Sequence, residues 1–94
     1  MKISDYIPTG EKNAISNREL AYRAGINERG VRKLVHDARI DGEPICSSDS
    51  GYWLAENIAE VDLSLRRIYS QIKQMVETAH NLEIIKIEML SNGE

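Results

Sequence analysis

Three patterns of apolar and polar positions succeed one another along this 94-residue chain. Helical spacing holds to about residue 40, two short β-prone runs follow to residue 54, and a heptad repeat begins near residue 57. At the front, residues 2–7 predict one or two helical turns, stopped by Pro8 and Gly10. Pro8 to Ala14 reads as a loop. Ser16-x-x-Glu19 is a capping box just ahead of an apolar run, so a helix is predicted to start there, bury Leu20, Ala21 and Ala24, and end at Gly25. Asn27 is the next N-cap. Val31, Leu34, Val35 and Ala38 follow at helical spacing, giving a second helix to about Arg39. Two short helices joined by about three residues make a helix-turn-helix unit. Residues 44–47 and 51–54, separated by Ser48-Asp49-Ser50, predict a β-hairpin.

From Asn57 onward no Pro interrupts the chain and Gly returns only at Gly93. Asn57-x-x-Glu60 is a further capping box, and a helix from there to about Leu90 would run roughly 50 Å. Its apolar residues alternate three and four apart. Ile58, Leu65, Ile72 and Ala79 occupy heptad position a, with Lys86 next; Val61, Ile68, Met75 and Leu82 occupy d, with Met89 next. Four heptads of this kind form a coiled-coil seam, which is buried only against another helix. The helix either pairs with a second copy or folds back on its own domain, and pairing is the expectation. Leu82 to Ile87 breaks the two-position stripe, which leaves a broader interface or a strand there. The chain therefore divides into a compact domain over residues 1–55 and a dimerisation helix over 56–94. The predicted fold class is mainly α with one small β-hairpin.

Composition narrows the class. A 41% apolar and 29% charged chain of this length holds one small core, and with no Phe and one Trp that core is built from Ile, Leu, Val and Ala. A single cysteine, Cys46, excludes an intrachain disulfide and fits a reducing cytosol. No signal peptide or membrane-length apolar run is visible, so a soluble cytoplasmic protein is expected. The net charge of −3 conceals an asymmetry. Residues 1–15 are neutral, residues 16–40 carry +3, and residues 41–94 carry −6. A local basic stretch is what a nucleic-acid binder requires, whatever an acidic appendage does to the total.

The spacing inside the basic stretch sharpens that point. Ala21-x3-Gly25-x5-Val31, with Leu20, Ala24, Ile26 and Leu34 at the apolar positions around it, has a steric logic. Ala21 is small where two helices cross, Gly25 makes the turn, and Ile26, Val31 and Leu34 seat the second helix. This spacing resembles the helix-turn-helix family of DNA-binding proteins. With the hairpin attached it resembles winged-helix proteins, similar to the DNA-binding domain of the biotin operon repressor and to small phage and prophage winged-helix proteins. The matching text is residues 5–10, 13–20, 31–34 and 44–52, and the resemblance covers residues 3–55.

In that family the second helix enters the major groove. The resemblance therefore implies DNA contact by Asn27, Glu28, Arg29, Arg32, Lys33 and His36. Arg29 and Arg32 share a face and have the fork geometry to read guanine. Lys33, Arg39 and Arg23 are expected at phosphates, and Asn27 at its helix cap, at an adenine, or at both. His36 would add a pH-dependent charge. Gly30 costs helix propensity, explained by close approach to a nucleic-acid backbone or by contact with the preceding helix. The wing, Ser47, Ser48, Asp49 and Ser50, departs from the family pattern in having no Lys or Arg. Trp53 is expected in the core or at a dimer contact, with base stacking as an alternative. His36, His80 and Cys46 are too scattered for a metal site, and no nucleophile–base pair or phosphate loop appears, so no enzyme, cofactor or small-molecule substrate is expected. The expected partners are double-stranded DNA and a second copy of the chain, in a transcriptional or replication regulator. The competing reading is a winged-helix module whose long helix recruits another protein.

Overall fold

The computed structural model describes residues 2–93. The elements in order are a short 3-10 turn (Ile3–Tyr6), a second one (Glu11–Asn13), α1 (Asn17–Ala24), α2 (Glu28–Ile40), β1 (Ile45–Ser48), β2 (Gly51–Leu54) and α3 (Ile58–Ser91). This is a mainly helical chain in which a helix-turn-helix is followed by a two-stranded antiparallel hairpin and a long C-terminal helix. It divides after Ser64 into two compact units.

Each helix start follows from a side chain that satisfies a backbone donor the helix itself leaves unpaired. Ser16 Oγ accepts from the Glu19 backbone N at 3.0 Å, and Asn27 Oδ1 accepts from Gly30 N at 2.7 Å. Glu60 N donates to Asn57 Oδ1 at 3.1 Å at the head of α3. Helix α1 stops at Gly25, whose φ of 71° is left-handed, and Ile26 N closes the end on Ala21 O at 3.0 Å. That turn lets α2 cross α1 at the buried Ala21. Ile3, Ile7, Ile15, Leu20, Val31, Val35 and Ile45 fill the core with it.

The predicted front end needs two corrections. Residues 2–7 give a single 3-10 turn, because Pro8 bars helix continuation. The segment read as a loop is partly strand-like. Leu54 N donates to Pro8 O, Gly10 N to Leu54 O, and Ile15 and Tyr52 exchange both backbone bonds at 2.8 and 2.7 Å. Residues 8–15 therefore line the outer edge of β2. The tight approach depends on Gly51, at φ 120°, where an added Cβ would lie 2.1 Å from Ile15 O.

In the hairpin, Cys46 stands opposite Trp53 and Ile45 opposite Leu54. Trp53 is wholly buried and Cys46 nearly so, which settles Trp53 as core. The indole Nε1 donates to Glu60 Oε1 at 3.0 Å. Residues 58–64 belong with the N-terminal unit. The boundary thus falls at Ser64 rather than at residue 55, because Glu60 and Ser64 bond into the hairpin and its surroundings. The stretch 82–87 is helical and not a strand. Every residue from Tyr69 to Gly93 is exposed.

Candidate nucleic-acid interface

Helix α2 has two faces of opposite character. Val31 and Val35 are buried, with Leu34 and Ala38 packed beside them. At 100° per residue, Arg29, Arg32, Lys33 and His36 lie on the arc opposite, and all four are exposed. The separation is a consequence of the 3.6-residue period acting on this order of residues. Arg29 and Arg32 make no ion pair with any described residue. Lys33 Nζ is 3.5 Å from Asp37 Oδ2. An exposed i,i+4 pair contributes only about 0.3–0.5 kcal/mol, so an anion arriving at this face can displace it.

The other residues expected at DNA are engaged to different degrees. Arg23 Nε pairs with Glu19 Oε1 at 3.1 Å on the exposed side of α1, another weak contact. Glu28 Oε1 accepts from Asn17 Nδ2 at 3.2 Å, tying the start of α2 to the start of α1. Asn27 uses its carboxamide oxygen as the helix cap. Bidentate adenine recognition needs that oxygen as well as the nitrogen, so capping is its role here. Gly30 packs against Asn27 and Ile26: an added Cβ would sit 3.3 Å from Asn27 Oδ1 and 3.6 Å from Ile26 Cδ1.

Arg39 corrects the expectation of a phosphate ligand. Its Nε donates to Ile45 O at 2.8 Å and its Nη2 to Ser47 Oγ at 3.1 Å. Ser47 N in turn donates to Ser64 Oγ at 3.2 Å, which explains why Ser64 is the one buried polar residue of α3 among those described. Together Arg39 and Ser64 satisfy the outward backbone groups of β1, an edge that would otherwise be open to pairing. Burial lowers the Arg39 pKa from its ordinary value, against the opposing influence of Tyr52 and Cys46. Ser47 is likewise an internal link and not a wing-tip contact. Ser48 Oγ accepts from Ser50 N at 3.0 Å within the turn, and Asp49 and Ser50 are exposed at the tip.

Glu60 is the residue that sequence reasoning undervalued. Besides Trp53, its carboxylate accepts from Glu56 N at 2.9 Å and from Glu11 N at 3.2 Å. The Glu56 backbone bond is the main reason its pKa is lowered, opposed by desolvation and helped by Glu11 and Trp53. The capping-box pattern flagged the position, but only the folded chain brings Trp53 and Glu11 to it. Cys46 Sγ lies 3.7 Å from Glu60 O, and burial, then the Glu60 charge, raise the thiol pKa, so it stays protonated at neutral pH.

The seam residues of α3 are open to solvent: Ile58 is 79% exposed, Met75 71% and Leu82 62%. Val61, Leu65, Ile72 and Ala79 are exposed too, and Ile68 is half-buried. Leu63, Val76, Ile84, Ile85, Ile87 and Leu90 add exposed apolar surface beside the seam. Among the described residues no three His, Cys, Asp or Glu side chains gather as a metal site, and no helix is long and apolar enough to cross a membrane. No protein-family model, curated protein or solved structure matches this chain.

Proposed function

We propose that this protein is a winged-helix DNA-binding protein that places α2 in the major groove of a duplex and acts as a homodimer through α3. Within that class it is read as a small transcriptional or replication regulator. The observation that carries the reading is the exposed arc of Arg29, Arg32, Lys33 and His36, set opposite the buried Val31 and Val35. A rigid helix displaying three cations and a histidine from one face has the shape and charge that a groove receives. Arg29 and Arg32 take the base-reading role and Lys33 a phosphate. Arg23 can reach a phosphate by giving up its surface pair with Glu19.

The test is a gel-shift series on duplexes from the neighbouring genome. Each bidentate base contact is worth about 1–3 kcal/mol, so Arg29→Ala with Arg32→Ala should weaken specific binding about 30-fold or more. The dimer should persist, because both positions lie outside the seam. Affinity should also fall steeply with salt, as released counterions require. Absence of both specific and salt-sensitive binding at low salt overturns the reading. One observation favours a second reading, a protein-recruiting module: the wing tip presents Asp49 and serines where DNA-gripping wings carry a cation. That reading expects no duplex preference and a foreign partner competing for Leu65, Ile72 and Met75.

A further inference from the structure

Along α3 the charges are segregated. Residues 65–76 hold Arg66, Arg67 and Lys73 and no carboxylate, whereas residues 77–89 hold Glu77, Glu83 and Glu88 with a single cation, Lys86. The apolar seam runs through both halves and is exposed throughout its C-terminal part. We propose that the occupant of this seam is a second copy of the chain running antiparallel, with the two helices centred on Glu77. This deepens the dimer reading of α3 and does not depend on DNA binding.

Three observations favour that direction over a parallel pair. Antiparallel pairing sets the basic half of each helix beside the acidic half of the other, at an interaxial separation of about 8–10 Å where such charges still interact. Parallel pairing sets like beside like. The second observation concerns position a. In a parallel pair Lys86 meets its own copy inside the seam, with two like charges partly desolvated. In the antiparallel register Lys86 faces Ile68, and its ammonium can reach out past the seam along its own stem. The third is volume. A parallel pair stacks Ala79 on Ala79 and leaves a gap, whereas the antiparallel register sets Met75 against Ala79, long against short, with Ile72 against Leu82 and Leu65 against Met89.

The register makes the proposal testable with single cysteines. Leu65→Cys and Met89→Cys chains are prepared separately, mixed, and oxidised gently, with the unsubstituted chain as control for the buried Cys46. The expected result is a mixed disulfide between the two variants and almost none within either variant alone. Disulfide-linked Leu65→Cys homodimers would mean parallel helices and overturn the orientation, leaving the dimer intact. Light scattering of the unsubstituted chain at tens of micromolar provides the independent measurement. A dimer is expected, and a monomer overturns the seam's self-pairing whatever the gel shifts show.

Discussion

Two residues, Gly51 and Glu60, hold positions that no other side chain fills equally well. At Gly51 the obstacle is a backbone oxygen, Ile15 O, which cannot swing aside as a side chain would. The left-handed φ adds its own strain for any residue with a Cβ. Gly51→Ala should therefore destabilise the fold by about 2–4 kcal/mol and separate residues 8–15 from β2, measured as a drop in thermal midpoint. Glu60 makes a prediction about pH. Its folded pKa lies below the unfolded value, so its contribution is complete above the ordinary carboxylate pKa of about 4.3 and is lost as pH falls through the folded value. In Glu60→Gln the amide keeps one acceptor oxygen and turns a donor toward other donors. The variant should be less stable at neutral pH, and its thermal midpoint should fall less steeply than that of the unsubstituted chain as pH drops below about 4.3. Parallel curves for the two proteins would remove Glu60 from the account.

Among the elements, α2 and the hairpin divide the work differently from the sequence expectation. The cationic arc of α2 stands free because Arg39, the cation nearest its C-terminus, is turned inward to close the edge of β1. Arg39→Ala should accordingly act on stability and on the hairpin's position, while Arg29→Ala with Arg32→Ala acts on DNA affinity at unchanged stability. Thermal melts and gel shifts on the same variants separate the two roles. An exposed strand edge with unpaired backbone groups would invite a neighbouring chain, so the Arg39→Ala protein should also associate more readily.

For the molecule as a whole, the exposed seam and the cationic arc make opposite demands on the solvent, and only assembly relieves the first. Sixteen large apolar side chains are exposed, and from Ile58 onward they all lie on α3, fourteen of them. Replacing Ile68 and Ile72 with Asp should produce a monomer by light scattering, since each carboxylate would be costly to desolvate in a paired seam. If two linked α2 helices engage two half-sites, that monomer should bind a two-site duplex about 100-fold more weakly or worse, the ordinary scale of avidity. An unchanged affinity would detach the dimer from DNA recognition.

Much of this was legible in the residues themselves. Local rules determined the helix starts at Ser16, Asn27 and Asn57, the left-handed stop at Gly25, the buried Val31 and Val35, and the heptads of α3, because caps, turns and periods act over a few residues. What required the folded chain was every contact between residues distant in sequence: residues 8–15 against β2, Arg39 and Ser64 on the edge of β1, and Trp53, Glu56 and Glu11 converging on Glu60. Spacing along the chain reports which side a residue faces within its own element. It carries no record of which distant backbone group will come within hydrogen-bond reach, since that is decided by how the elements pack, and so Arg39 read as a phosphate ligand until the strand it closes was in place.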